Sequence, residues 1–165
     1  MEVLVAFSTS NKLYAKILRK LMDSHIHHTF LFVRFPSLGF MALEIDQYGI
    51  RFVPVHKTNG YAKHLEVFSC KYDLNIGLIT MKDYIGRKYD WKGVISGAWR
   101  LFLRKYFKYE TKNGVHSRNR MFCSEFVASI LKESEVDGTS KWKPSEMSPK
   151  MLYDFVNNHK HFNRE

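Results

Sequence analysis

Residues 121–127 read Met121-Phe122-Cys123-Ser124-Glu125-Phe126-Val127, and the helix they open begins at the cysteine. Phe126, Val127, Ile130 and Leu131 then recur at helical spacing up to Lys132. A thiol at a helix N-terminus meets backbone N–H groups that lack intrahelical acceptors and favour negative charge. Its pKa falls there, and the thiolate, not the thiol, is the nucleophile. The alternative reading of Cys123 is a small, buried, inert core residue.

A nucleophilic thiol needs a base within reach, and the chain upstream supplies one. Val3 to Phe7 is a short apolar run that reads as a buried strand. Ser8-Thr9-Ser10-Asn11 then offers side-chain acceptors to cap a helix over 12–22, with Leu13, Ile17, Leu18 and Leu21 on one face. His28 to Phe35 is dense in strand formers. Pro36-Ser37-Leu38-Gly39 turns it into a second strand, Phe40 to Ile45, which ends at Asp46-Gln47-Tyr48-Gly49. Ile50 to Val55 and Leu65 to Tyr72 complete the strand series. His28 stands where a loop enters the sheet, a place where a side chain is held rigidly. Glu44, on the next strand, is placed to orient the imidazole as the third group of a triad. Its plainer reading is a strand-face glutamate paired with Lys or Arg.

His25 and His27 flank the same turn, and three histidines so close together raise the question of a metal. No cysteine or carboxylate stands near them at ligand spacing, so the sequence implies neither metal nor cofactor, and an exposed polar turn is the plain alternative.

The second half of the chain is expected to be helical from Trp91 to Phe107, then loop-like, polar and basic from Lys108 to Arg120 around Asn113-Gly114. A last helix starts at Ser148-Pro149, with serine as cap and proline in the first turn. Asp90 of Tyr89-Asp90-Trp91 is expected to cap the helix after it, with Trp91 against the sheet. Phe40, Tyr48, Tyr61, Trp99 and Tyr106 are read as core aromatics and not as binding residues.

A chain of 165 residues is long enough for one domain with its own core, so residues 1–165 are read as a single domain with a single site. The two cysteines, Cys70 and Cys123, form neither a disulfide framework nor a metal-ligand pair by spacing. The N-terminal apolar run is too short for a signal peptide or a membrane span, and the chain is expected to be soluble and cytoplasmic at synthesis. A net charge of +10 points to an anionic polymer as partner: nucleic acid, anionic lipid or a bacterial wall.

In their order along the chain, these pieces resemble the circularly permuted NlpC/P60 papain-like cysteine hydrolases, in which the histidine half precedes the cysteine half. The resemblance rests on Phe7-Ser8-Thr9-Ser10-Asn11, His27-His28-Thr29-Phe30, Leu43-Glu44, Gly49-Ile50-Arg51, Tyr89-Asp90-Trp91 and Phe122-Cys123-Ser124-Glu125-Phe126-Val127. These segments span most of the chain. His27 stands where the family usually has serine, and the basic stretch 104–120 is locally elaborated. The resemblance implies an α+β, papain-like fold, circularly permuted, with a central antiparallel sheet or partial barrel packed against helices. It implies further that Cys123 attacks a carbonyl, His28 moves the proton and Glu44 orients His28. The backbone N–H of Cys123, with a side chain near Ser8 or Thr9, would hold the oxyanion. Relatives occur in bacteria and their phages, so peptide bonds of peptidoglycan are the first expected substrate and phage association is one setting.

Three other functions compete. The same fold also serves lipid acyl transfer or hydrolysis, against which the absence of an obvious amphipathic anchor tells. A nucleic-acid module would use Arg100, Arg104, Lys105, Lys108, Lys112, Arg118 and Arg120, although no recognised motif accompanies them. A non-catalytic structural or wall-adhesion protein is the last.

Overall fold

The computed structural model describes residues 1–46, 48–59, 64–90, 102–103, 106–108 and 120–165. The chain is mixed α and β, built on a six-stranded sheet whose strand pairs are all antiparallel. The elements are β1 (Val3–Thr9), α1 (Leu13–Met22), β2 (His28–Phe35), β3 (Gly39–Asp46), β4 (Gly49–Pro54), α2 (Val55–Asn59), β5 (His64–Cys70) and α3 (Asn75–Thr80). They continue as β6 (Lys88–Tyr89), β7 (Arg120–Met121), α4 (Cys123–Glu133), α5 (Pro149–Asn158) and β8 (Phe162–Arg164). The sheet order is β4-β3-β2-β1-β5-β8, and β6 and β7 form a separate parallel pair.

Unbroken apolar runs such as Val3 to Phe7 and Phe30 to Val33 make sense because the sheet is buried on both faces. Val5, Phe7, Leu31, Val33, Leu43 and Ile45 join the main core with Phe126, Val127, Ile130 and Leu131 of α4 and Leu152 and Val156 of α5. The alternate residues Ala6, Phe30, Phe32 and Ala42 form a second cluster with Leu65 and Val67. Cys123 through Leu131 are all buried, so α4 is a central helix. Burying each of its large side chains contributes roughly 1.5–3 kcal/mol. Close packing of α3 on α4 is possible because residue 77 is glycine: a Cβ there would lie 2.2 Å from the Ile130 carbonyl oxygen.

The strand expectations match closely, and His28–Phe35 begins and ends where the sequence places it. Val55 opens α2 instead of closing β4. At the other end of the chain, Ser148 caps α5 by accepting from the Met151 N–H at 3.2 Å.

Helix α1 departs from its expected form in two ways. Ser8 and Thr9 belong to β1, and the N-cap position is Lys12, which makes no side-chain cap bond. The Thr9 hydroxyl accepts from Arg19 of α1 instead. The apolar face of Leu13, Ile17, Leu18 and Leu21 is not the one that faces the core: Ala15 and Met22 are buried, while Leu13 and Ile17 are 75% and 51% exposed. Tyr48 and Tyr106, read as core aromatics, are likewise exposed. The 91–107 helix is described only at 102–103 and 106–107, which are helical. Trp91, Trp99, Tyr61 and nearly all of the basic loop lie outside the described residues, as do Arg100, Arg104, Lys105, Lys112 and Arg118.

Candidate active site

Three elements meet at one end of the sheet. Helix α4 starts at Cys123, β2 starts at His28, and β3 carries Glu44 near its end. β2 and β3 are neighbours in register, Leu31 opposite Leu43, which brings Glu44 alongside the start of β2. Glu44 alternates with Leu43 and Ile45, both in the main core, and so projects to the opposite side of the pleat. Its Oε2 lies 3.9 Å from His28 Nε2, and the carboxylate is 1% exposed. His28 also stacks on Phe30, centroids 5.6 Å apart, which fixes the plane of the imidazole.

The Cys123 thiol and the His28 ring lie near enough to shift each other's pKa, and the backbone at Thr29 and Ser124 also favours the thiolate. Burial by itself pushes the thiol pKa up, but the His28 charge and hydrogen bond, with these two backbone groups, outweigh it and hold the thiol below its ordinary value. Burial likewise opposes charge on His28, and the Cys123 thiolate and then Glu44 override it, lifting the imidazole to about 10. Both shifts favour the thiolate–imidazolium form of the pair. Cys70 is the contrast: it is half-buried, and burial pushes its thiol up.

The neighbouring histidines have other surroundings. His25 Nε2 lies 2.9 Å from Glu66, a carboxylate that also accepts from Tyr153 at 2.8 Å and pairs with Arg164 at 3.1 Å. His27 is buried against Tyr14, ring centroids 6.0 Å apart. Burial first, then the charges of His28 and Arg19, lower its pKa to about 4, so it stays neutral. The three histidines thus point to three places. Among the described residues, no three His, Cys, Asp or Glu side chains are grouped to hold a metal ion.

Several residues at the site are given no role by the sequence, although Arg51, Tyr89 and Glu125 fall in the segments that carry the resemblance. Arg51 sits across the ladder from Glu44, 3.5 Å away, and is held by Asp46 at 2.5 Å. Both expected readings of Glu44 are therefore present together, a histidine partner and an arginine partner. Tyr89 stands beside Met121 in the β6–β7 register, two residues before the cysteine. Burial and then the Cys123 charge raise the pKa values of both Tyr89 and Tyr14, the latter from α1. Glu125 reaches back to the Phe122 N–H at 3.4 Å and closes the first turn of α4; burial lifts its carboxyl to about 7. Near Ser8 and Thr9, where a side chain for the oxyanion is expected, Ser8 stands opposite His28 in the β1–β2 register and the Thr9 hydroxyl accepts from Arg19.

No family model matches the chain, and no curated protein matches it in sequence. A solved structure does match: metalloprotein YiiX from Escherichia coli O157:H7, of the DUF1105 family, superposes with a TM-score of 0.66. The match covers 100% of this chain and 96% of that one at 14% identity. What is shared is the fold. The chain has a YiiX-like architecture, and at this identity nothing about activity travels with it.

Proposed function

We propose that this chain is a papain-like cysteine hydrolase of the permuted NlpC/P60 kind, acting on an amide or related acyl bond. The observation that carries the reading is buried Cys123 beside the partly buried His28, with Glu44 next to the imidazole. Cys123 attacks the acyl carbon as thiolate, and a C–S bond forms as the carbonyl becomes an oxyanion. The imidazolium of His28 gives its proton to the departing amine or alcohol as that bond breaks, leaving a thioester. Neutral His28 then takes a proton from water, and hydroxide displaces the cysteine. Glu44 keeps the ring oriented through both steps. The Cys123 N–H, at the first position of α4, has no intrahelical acceptor and is the backbone donor for the oxyanion.

Peptide bonds of peptidoglycan peptides are the first substrate in this reading, approached through a chain of net charge +10. The structural relative is named a metalloprotein. The described residues here do not assemble a metal-ligand set, and no step of the reaction is routed through a metal.

The test is the pH dependence of Cys123 alkylation in the wild type and in His28→Ala, read site by site by mass spectrometry with Cys70 as internal control. The expected result is a Cys123 that reacts as thiolate well below the ordinary thiol range and loses that advantage without His28. A slow, unshifted Cys123 in both proteins would sink the proposal and leave a binding or structural protein.

A further inference from the structure

Helix α1 turns apolar side chains outward beside the site. Leu13 is 75% exposed, Ile17 51% and Tyr14 47%. Leu13 and Ile17 are one turn apart and share the outer face, while Ala15 and Met22 face the core. Lys12, Lys16 and Lys20, also at successive turns and also exposed, run along the flank of the same face. Tyr48, 72% exposed, stands in the turn after β3, two residues beyond Asp46, whose charge reaches the Tyr14 hydroxyl. An apolar ridge bordered by a row of lysines is the pattern of a helix that lies on an anionic bilayer, with side chains in the acyl boundary and ammonium groups among the phosphates. Charge separates this face from another exposed apolar pair, Ile76 and Ile79 on α3, which has Asp73, Lys82 and Asp83 near it in sequence.

We infer that the outer face of α1, with Leu13 and Ile17 as its apolar contacts and Lys12, Lys16 and Lys20 as its headgroup contacts, docks the protein on anionic lipid membranes. Tyr14 links this face to the reaction centre, since it packs on His27 and its hydroxyl lies within the field of the Cys123 thiolate. A protein seated this way would hold the Tyr14 side of the reaction centre toward the bilayer. The docking face stands apart from the reaction and needs no turnover at Cys123. Among the described residues no helix is long and apolar enough to cross a membrane, so the attachment is peripheral.

The experiment is sedimentation with vesicles of phosphatidylglycerol and phosphatidylcholine in equal parts, against pure phosphatidylcholine, near 0.1 M salt. Wild-type protein and Cys123→Ala are expected to pellet equally with the phosphatidylglycerol vesicles and to stay in solution with phosphatidylcholine. Leu13→Ser/Ile17→Ser and Lys12→Glu/Lys16→Glu/Lys20→Glu are each expected to bind at least about tenfold more weakly, with thermal melts close to wild type because these positions are exposed. Three results would overturn the inference. The first is wild-type protein left in solution with anionic vesicles. The second is Leu13→Ser/Ile17→Ser bound as tightly as wild type, which would reduce the attraction to unspecific charge. The third is a wild-type dimer that this double variant makes monomeric, which would assign the face to a second copy of the chain.

Discussion

Glu44 and Arg51 face each other across the β3–β4 ladder, with Arg51 Nη2 3.5 Å from one carboxylate oxygen while the other oxygen lies 3.9 Å from His28 Nε2. One buried carboxylate thus serves a half-exposed cation on one side and the reaction centre on the other. Asp46 holds the same guanidinium more closely, at 2.5 Å, so Arg51 is anchored without drawing heavily on Glu44.

Replacement of Glu44 by Gln is therefore expected to act through His28. The amide keeps the shape and removes the charge that helps to hold the imidazolium, so the thiolate loses part of its counter-ion. Each unit by which the Cys123 pKa rises lowers the thiolate fraction about tenfold once that pKa exceeds the working pH. Alkylation of Cys123 near neutral pH should fall about tenfold in Glu44→Gln. In Arg51→Ala it should change by less than about fivefold, as suits a partly exposed ion pair. Equal losses in the two variants would assign Glu44 a purely structural part.

The pair also has a signature in stability against pH. His28 is raised from 6.5 to about 10, so its contribution is complete below 6.5 and is lost as pH rises through about 10. Cys123 is lowered from 9.0, so its contribution is complete above 9.0 and is lost as pH falls toward its folded value. Between 6.5 and 9.0, wherever Cys123 stays ionised in the folded chain, the two slopes cancel, because folded and unfolded chains bind the same number of protons at these groups. The urea midpoint of wild type minus that of Cys123→Ala/His28→Ala should be flat across that window and fall on both sides of it. A difference that changes steadily through the window would mean that the folded pair does not keep a fixed total of one proton across it.

Gly77→Ala tests the seat of α4. Its Cβ would meet the Ile130 carbonyl oxygen at 2.2 Å and the Ser134 hydroxyl at 2.7 Å, and Ser134 already accepts from the Gly77 N–H at 3.0 Å. Overpacking of this kind costs about 1–3 kcal/mol. Denaturant unfolding should show that loss, with Cys123 reactivity in the folded protein little altered because the N-terminus of α4 is fixed separately by Ser124, which donates to the Met147 carbonyl at 2.6 Å. An unchanged midpoint would show that α3 moves aside freely.

Local chemistry by itself determined the first five strands, the start of α4 at Cys123 and the cap of α5 at Ser148, but not the short strands β6, β7 and β8. Apolar runs, turn residues and capping side chains act over a few positions, and those are legible in a linear chain. The sequence also nominated Cys123, His28 and Glu44, partly through resemblance, but only the tertiary structure decided their company. Strand register brought Glu44 between His28 and Arg51, and the turn before β2 sent His25 to Glu66 and buried His27. Register and packing depend on residues far apart in the chain. The outward turn of α1 has the same origin: its spacing shows that it has an apolar face, whereas the direction of that face depended on how Ala15 and Met22 met the rest of the core.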